Sequence, residues 1–106
     1  MFAREVTVTL KANSQAGFTQ ATEEKVIPIL RKEAGFRDEI TFVSQDGASA
    51  VGISLWDNQE NAEAYSRGSY AKVLEGLGSF VEGTPQVKTY EVANSTWHKI
   101  AATQPA

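Results

Sequence analysis

Few side chains in this sequence could make or break bonds unaided. Its 106 residues include one histidine, His98, and no cysteine, which excludes thiolate nucleophiles, disulfides, iron–sulfur clusters and cysteine zinc sites. His98 lies in Ser95-Thr96-Trp97-His98-Lys99-Ile100, beyond the last predicted strand. A catalytic role for it needs this arm to swing over a pocket or into a partner, and the competing reading is an exposed or interface residue. A metal would have to be held by carboxylates, and no Glu-x-x-His pair occurs, so neither a metal nor a cofactor is expected. No glycine-rich loop follows a strand in the way a phosphate site requires. Phenols remain: Tyr65 and Tyr70 flank Arg67-Gly68-Ser69, where their hydroxyls could stand at a cavity mouth and donate to an anionic oxygen. Packing with a wet hydroxyl is the alternative.

The elements that must position these groups follow from periodicity. Val6, Val8 and Leu10 alternate with Thr7, Thr9 and Lys11 as in a half-buried strand. Asn13 and Ser14 can cap a helix in which Phe18, Ala21, Thr22, Val26, Ile29 and Leu30 recur at helical spacing; Pro28 predicts a kink or break, and Gly35 a left-handed stop with Phe36 folding back. The stretch from Asp38 to Ser44, the turn Asp46-Gly47, and the stretch from Ala50 to Trp56 predict a β-hairpin. Asp57 or Asn58 caps a second helical region, split at Arg67-Gly68-Ser69 and carried on by Tyr70, Val73, Leu74, Leu77 and Phe80 or Val81; Gly76 and Gly78 lie within that last stretch. Gly83-Thr84-Pro85 ends it, and Gln86 to Val92 predicts the last strand.

The order β, α, β, β, α, β is an α+β, ferredoxin-like βαββαβ antiparallel sheet with helices on one face. One domain is expected over residues 1–94, with 95–106 as a C-terminal arm. Taking the cleanest apolar alternation as the face under the helices leaves Thr7, Thr9, Thr41, Val43, Ser54, Trp56, Val87, Thr89 and Glu91 on the other face. Small and amphipathic, that face suits a partner sheet or a ligand, and Thr9 and Ser54 become pocket candidates; a solvated Thr-rich face is the plainer alternative. Trp97 and Ile100 are too apolar for a free tail, and the arm Trp97, His98, Ile100 is expected to pack across a neighbouring subunit.

Composition sets further bounds. Hydrophobic residues make up 42% and charged residues 22%, which suits a globular chain and is too apolar for a disordered one. The net charge is −3 and the basic residues are scattered, so there is no stripe to neutralise phosphates and no nucleic acid partner is expected. Neither a signal-peptide pattern nor a run of about 18 apolar residues occurs, so no membrane association is expected, and the cytoplasm is the expected location.

The stretch Ile53-Ser54-Leu55-Trp56-Asp57-Asn58-Gln59-Glu60-Asn61-Ala62-Glu63-Ala64-Tyr65 resembles the Trp-containing third-strand-to-helix junction of the antibiotic biosynthesis monooxygenase-like proteins. Leu30-Arg31-Lys32-Glu33-Ala34-Gly35-Phe36 and Gly83-Thr84-Pro85-Gln86-Val87 are similar to that family's end of the first helix and start of the last strand. The resemblance implies a dimeric α+β barrel: a homodimer whose two four-stranded sheets close around a cavity that takes a small, often aromatic molecule. It implies that Trp56 could line that pocket and stack on a substrate. Reactions in this superfamily vary, from cofactor-independent oxidation of polycyclic aromatics to haem degradation, and some members have no known activity. The haem-degrading branch ligates iron through a histidine in the second helical region, and Tyr70 to Glu82 contains none. Three readings stay open: a cofactor-independent monooxygenase acting on an aromatic substrate, a non-catalytic ligand-binding or stress-associated dimer, and a purely structural interaction module, which predicts no cavity.

Overall fold

The computed structural model describes residues 1–96. The predicted arm residues Trp97, His98 and Ile100 lie outside the described residues. Strand β1 (Phe2–Leu10) leads into helix α1 (Gln15–Ala21), a π-helical turn (Thr22–Val26) and helix α2 (Ile27–Arg31). The hairpin β2 (Phe36–Val43) and β3 (Ser49–Trp56) follows, then α3 (Gln59–Arg67), α4 (Tyr70–Leu77) and β4 (Val81–Glu91). The four strands form one antiparallel sheet in the order β2-β3-β1-β4, the ferredoxin-like arrangement. Among the described residues no helix is long and apolar enough to cross a membrane.

Local chemistry explains most boundaries. Pro28 sits in the first turn of α2, where its missing N–H is not needed. The irregularity falls just before it: the Ile27 N–H donates to the Thr22 carbonyl five residues back, which is the π-helical step, and the Thr22 hydroxyl donates to the Phe18 carbonyl at 2.8 Å. Ser14 starts α1 without a side-chain cap, and Asn13 takes a positive φ of 60°. Asn58, rather than Asp57, caps α3, its Oδ1 accepting from the Asn61 N–H at 2.9 Å. In the hairpin loop, Asp46 accepts from the Ser44 hydroxyl and the Ala48 N–H, which holds its carboxyl below the usual range.

Two sequence expectations are corrected. The last strand begins at Val81, so α4 ends at Leu77 and Gly83-Thr84-Pro85 lies inside β4 rather than before it. Thr7 pairs with Gln86 and Thr9 with Glu82, so three residues of β4 oppose the single Val8 of β1. Gly83 has a φ of 68° in this bulge, and Pro85 is tolerated because β4 is an edge strand.

The second correction concerns the faces of β2, β3 and β4. Directly paired residues share a face, and Val8, Leu10, Ala50 and Trp56 are all buried in the core beneath the helices. The rows under the helices are therefore Phe36-Trp56-Phe2-Glu91, Glu39-Ser54-Arg4-Thr89 and Thr41-Gly52-Val6-Val87. Ile40, Phe42, Val51, Ile53, Leu55 and Tyr90 take the opposite face, inverse to the alternation rule, while Thr7 and Thr9 stay there as expected. The rule assumes one apolar face; here both are apolar, and alternation alone could not rank them.

Gly35 joins α2 to β2 at a φ of 78°, and its carbonyl accepts from the Asp57 N–H at 2.8 Å. A Cβ there would come within 2.3 Å of the Asn61 side chain. Gly35→Ala should destabilise the fold by about 1–3 kcal/mol from backbone conformation alone, with more from displacing Asn61. Urea melts of the two proteins check this, and an unchanged midpoint would contradict the role of Gly35.

Candidate functional site

The cavity between the sheet and the helices has a volume of about 310 Å³. That is roughly twice the ~150 Å³ of an apolar cavity known to hold benzene, so a fused-ring molecule has room. Its floor exists because Gly52 stands between Thr41 and Val6 in its row and contributes no side chain. A Cβ at Gly52 would meet only the Glu39 carboxylate, at 3.5 Å. Leu77, Val73 and Phe18 supply apolar walls from the helices, and the β4 bulge adds Gly83 and Pro85 on one side.

An aromatic column runs from the core to this cavity. Trp56 is fully buried, lies edge-on to Phe36 at 5.6 Å between ring centroids and stacks on Tyr65 at 5.0 Å. Tyr65 meets Tyr70 at 5.9 Å. The Arg4 guanidinium ends the column, 3.9 Å from the Tyr70 centroid and 5.3 Å from that of Tyr65. The indole N–H of Trp56 donates to the Ser54 Oγ at 2.8 Å, and the Ser54 hydroxyl is 3.5 Å from the Arg4 carbonyl. One hydroxyl thus satisfies a buried indole that would otherwise be left unpaired.

The polar row Glu39-Ser54-Arg4 crosses this otherwise apolar face. Burial raises the Glu39 carboxyl above its ordinary pKa, partly offset by the Thr41 hydroxyl, which donates to it at 2.6 Å. Burial also raises the Tyr65 phenol, with Arg4 pulling the other way, so Tyr65 stays a neutral hydroxyl at physiological pH. Arg4 and Glu39 are the charged residues among those lining the cavity.

Of the residues singled out in the sequence, Ser54, Tyr65 and Tyr70 line the cavity together. Trp56 lies behind them, stacked on Tyr65, and Thr9 is exposed outside the cavity. Sequence reasoning missed Arg4, Glu39, Thr41 and Gly52. The available signal was a charge at an inward position: Arg4 keeps the same parity as Val6, Val8 and Leu10, and an arginine on the buried side of a strand is rarely there for packing alone.

Neither a protein-family model nor a curated protein matches the chain. Solved structures do. A candidate antibiotic biosynthesis monooxygenase from Deinococcus radiodurans is 15% identical with a TM-score of 0.71, over 90% of this chain and 95% of that one. SnoaB, a cofactor-independent oxygenase from Streptomyces nogalater, is 13% identical with a TM-score of 0.72 over the same shares, 90% and 95%. A monooxygenase from the gene ActVA-Orf6 of Streptomyces coelicolor, in complex with nanaomycin D, is 23% identical with a TM-score of 0.68 over 84% of each chain. The chain therefore has the ferredoxin-like fold of the antibiotic biosynthesis monooxygenase-like proteins.

Proposed function

We propose that this chain is a homodimeric protein that binds a small aromatic molecule in the cavity between sheet and helices, and that it oxidises that molecule as a cofactor-independent monooxygenase. The observation that carries the binding reading is the cavity itself, about 310 Å³ and walled by Tyr65, Tyr70 and aliphatic side chains. Aromatic walls and few convergent polar groups are what a flat apolar ligand needs. The monooxygenase reading draws on the fold shared with oxygenases described as cofactor-independent.

Such a reaction makes the substrate its own reductant. A ring CH₂ conjugated with a carbonyl through the ring system, as in an anthrone, loses a proton, the resulting carbanion reduces O₂, one oxygen atom ends as a new carbonyl on that carbon, and the other leaves as water with both hydrogens. The carboxylate placed to accept the first proton is Glu39, whose raised pKa makes it a stronger base than an exposed glutamate. One observation favours the non-catalytic alternative: among the described residues no second titratable group is hydrogen-bonded to Glu39, whose partner is the Thr41 hydroxyl.

Dimerisation uses the sheet face away from the helices. Phe42 is 52% exposed, Tyr90 48% and Ile40 37%, an apolar surface that a second sheet would cover.

Titration calorimetry with 2-naphthol should show saturable binding of one molecule per chain, abolished in Gly52→Leu, which fills the cavity floor. An absence of saturable heat in the parent protein contradicts the binding reading. Oxygen uptake with anthrone separates the two activities: conversion to anthraquinone faster than in buffer supports the oxygenase, and the buffer rate supports the binding protein. Native mass spectrometry should find a dimer that Phe42→Lys converts to monomer; a dimer retained in that variant moves the interface elsewhere. Because the folded-state pKa of Glu39 lies above its unfolded value, ionising it costs stability as pH rises through that window. Glu39→Gln should therefore raise the melting temperature at about pH 7.5, with the gain disappearing by about pH 3.5, below the ordinary carboxylate range. Equal gains at both pH values would contradict the assignment.

A further inference from the structure

We infer that the cavity ligand is an organic anion, an apolar ring system bearing a carboxylate, phenolate or enolate oxygen, and that Arg4 binds that oxygen. The inference rests on the cavity-binding reading above and adds to it the charge of the ligand.

Arg4 is only 3% exposed. Isolating a guanidinium from water without a counter-charge is costly, and such groups are ordinarily paired. The ion pairs among the described residues are Arg37 with Asp57 and Glu63 with Arg67, so Arg4 has no carboxylate partner there. Its favourable contacts are the faces of Tyr70 and Tyr65, which stabilise a cation without occupying its N–H groups. No fully buried side-chain nitrogen in the described structure lacks a hydrogen-bond partner, and among the described residues no side-chain hydrogen bond from Arg4 to a protein acceptor is made. Its N–H groups therefore open onto the cavity that Arg4 lines.

Glu39 does not serve as the missing partner. Ser54 separates the two in their row, so their backbones stand two strand spacings apart, about 10 Å. The Glu39 carboxylate is engaged instead by the Thr41 hydroxyl. The two charges mark opposite ends of the polar row. A ligand anion at the Arg4 end gains the paired N–H donors of a guanidinium, a geometry matched to carboxylate oxygens. Its ring then lies along the apolar wall of Val73, Leu77 and Val8.

The test compares 2-naphthoate with 2-naphthamide, which share a ring and differ in charge, by titration calorimetry on the full chain. We expect the acid to bind at least about tenfold more tightly, the effect of one charge-assisted hydrogen bond, and Arg4→Gln to abolish the difference between acid and amide. Equal affinities in the parent protein would overturn the inference and leave the cavity-binding reading standing. A preference for the acid that survives in Arg4→Gln would overturn the role of Arg4. Binding of neither probe would overturn the inference together with the reading it rests on. The comparison within the parent protein decides the question of charge even if Arg4→Gln does not fold.

Discussion

The aromatic column from Phe36 through Trp56 and Tyr65 to Tyr70, closed by the Arg4 guanidinium, is the interaction on which the rest of this structure depends. Its members come from β2, β3, α3, α4 and β1, so one run of contacts ties three strands of the sheet to α3 and α4. Each ring pair adds about 0.5–1.5 kcal/mol beyond area burial, and the column also fixes where a cation can be kept out of water. Ser54 joins the two networks by accepting the Trp56 N–H and hydrogen-bonding to the backbone of Arg4. Packing and polarity are thus set by the same few residues.

The cavity is a consequence of what this column displaces. A ferredoxin-like sheet normally fills the space beneath its helices with aliphatic side chains, and here the row beside the column has a glycine at its centre and a threonine at one side. The β4 bulge at Gly83 and Pro85 removes a further stretch of regular strand next to the same space. Both features cost regular packing, and together they leave room for a ring. Local departures from ideal structure that all border one cavity are what a binding site grafted on a common fold looks like.

Much of the architecture was legible in the residues. Asp46-Gly47 marked the hairpin, Arg67-Gly68-Ser69 the break between α3 and α4, and Gly35 the left-handed stop, because each encodes a conformation that few residues adopt. The strand faces were not legible: Val51, Ile53 and Leu55 read as the core side, yet Trp56 and Ala50 occupy it. Period-2 patterning identifies a strand but cannot say which of two apolar faces meets the helices. The β4 start was hidden for a related reason, since a Gly-Thr-Pro run signals a turn unless an edge strand can absorb it. In the site, Tyr65, Tyr70 and Ser54 could be picked out from their own positions, whereas Arg4 and Glu39 are brought into one row only through cross-strand register, a long-range property that no local window contains.

The most direct test of this account is a co-crystal structure with 2-naphthoate. The account predicts the naphthyl ring in the cavity against Tyr70 and Leu77, with a carboxylate oxygen within hydrogen-bond distance of the Arg4 guanidinium. A ligand seated on the outer sheet face, or one in the cavity with its carboxylate turned away from Arg4, would contradict it.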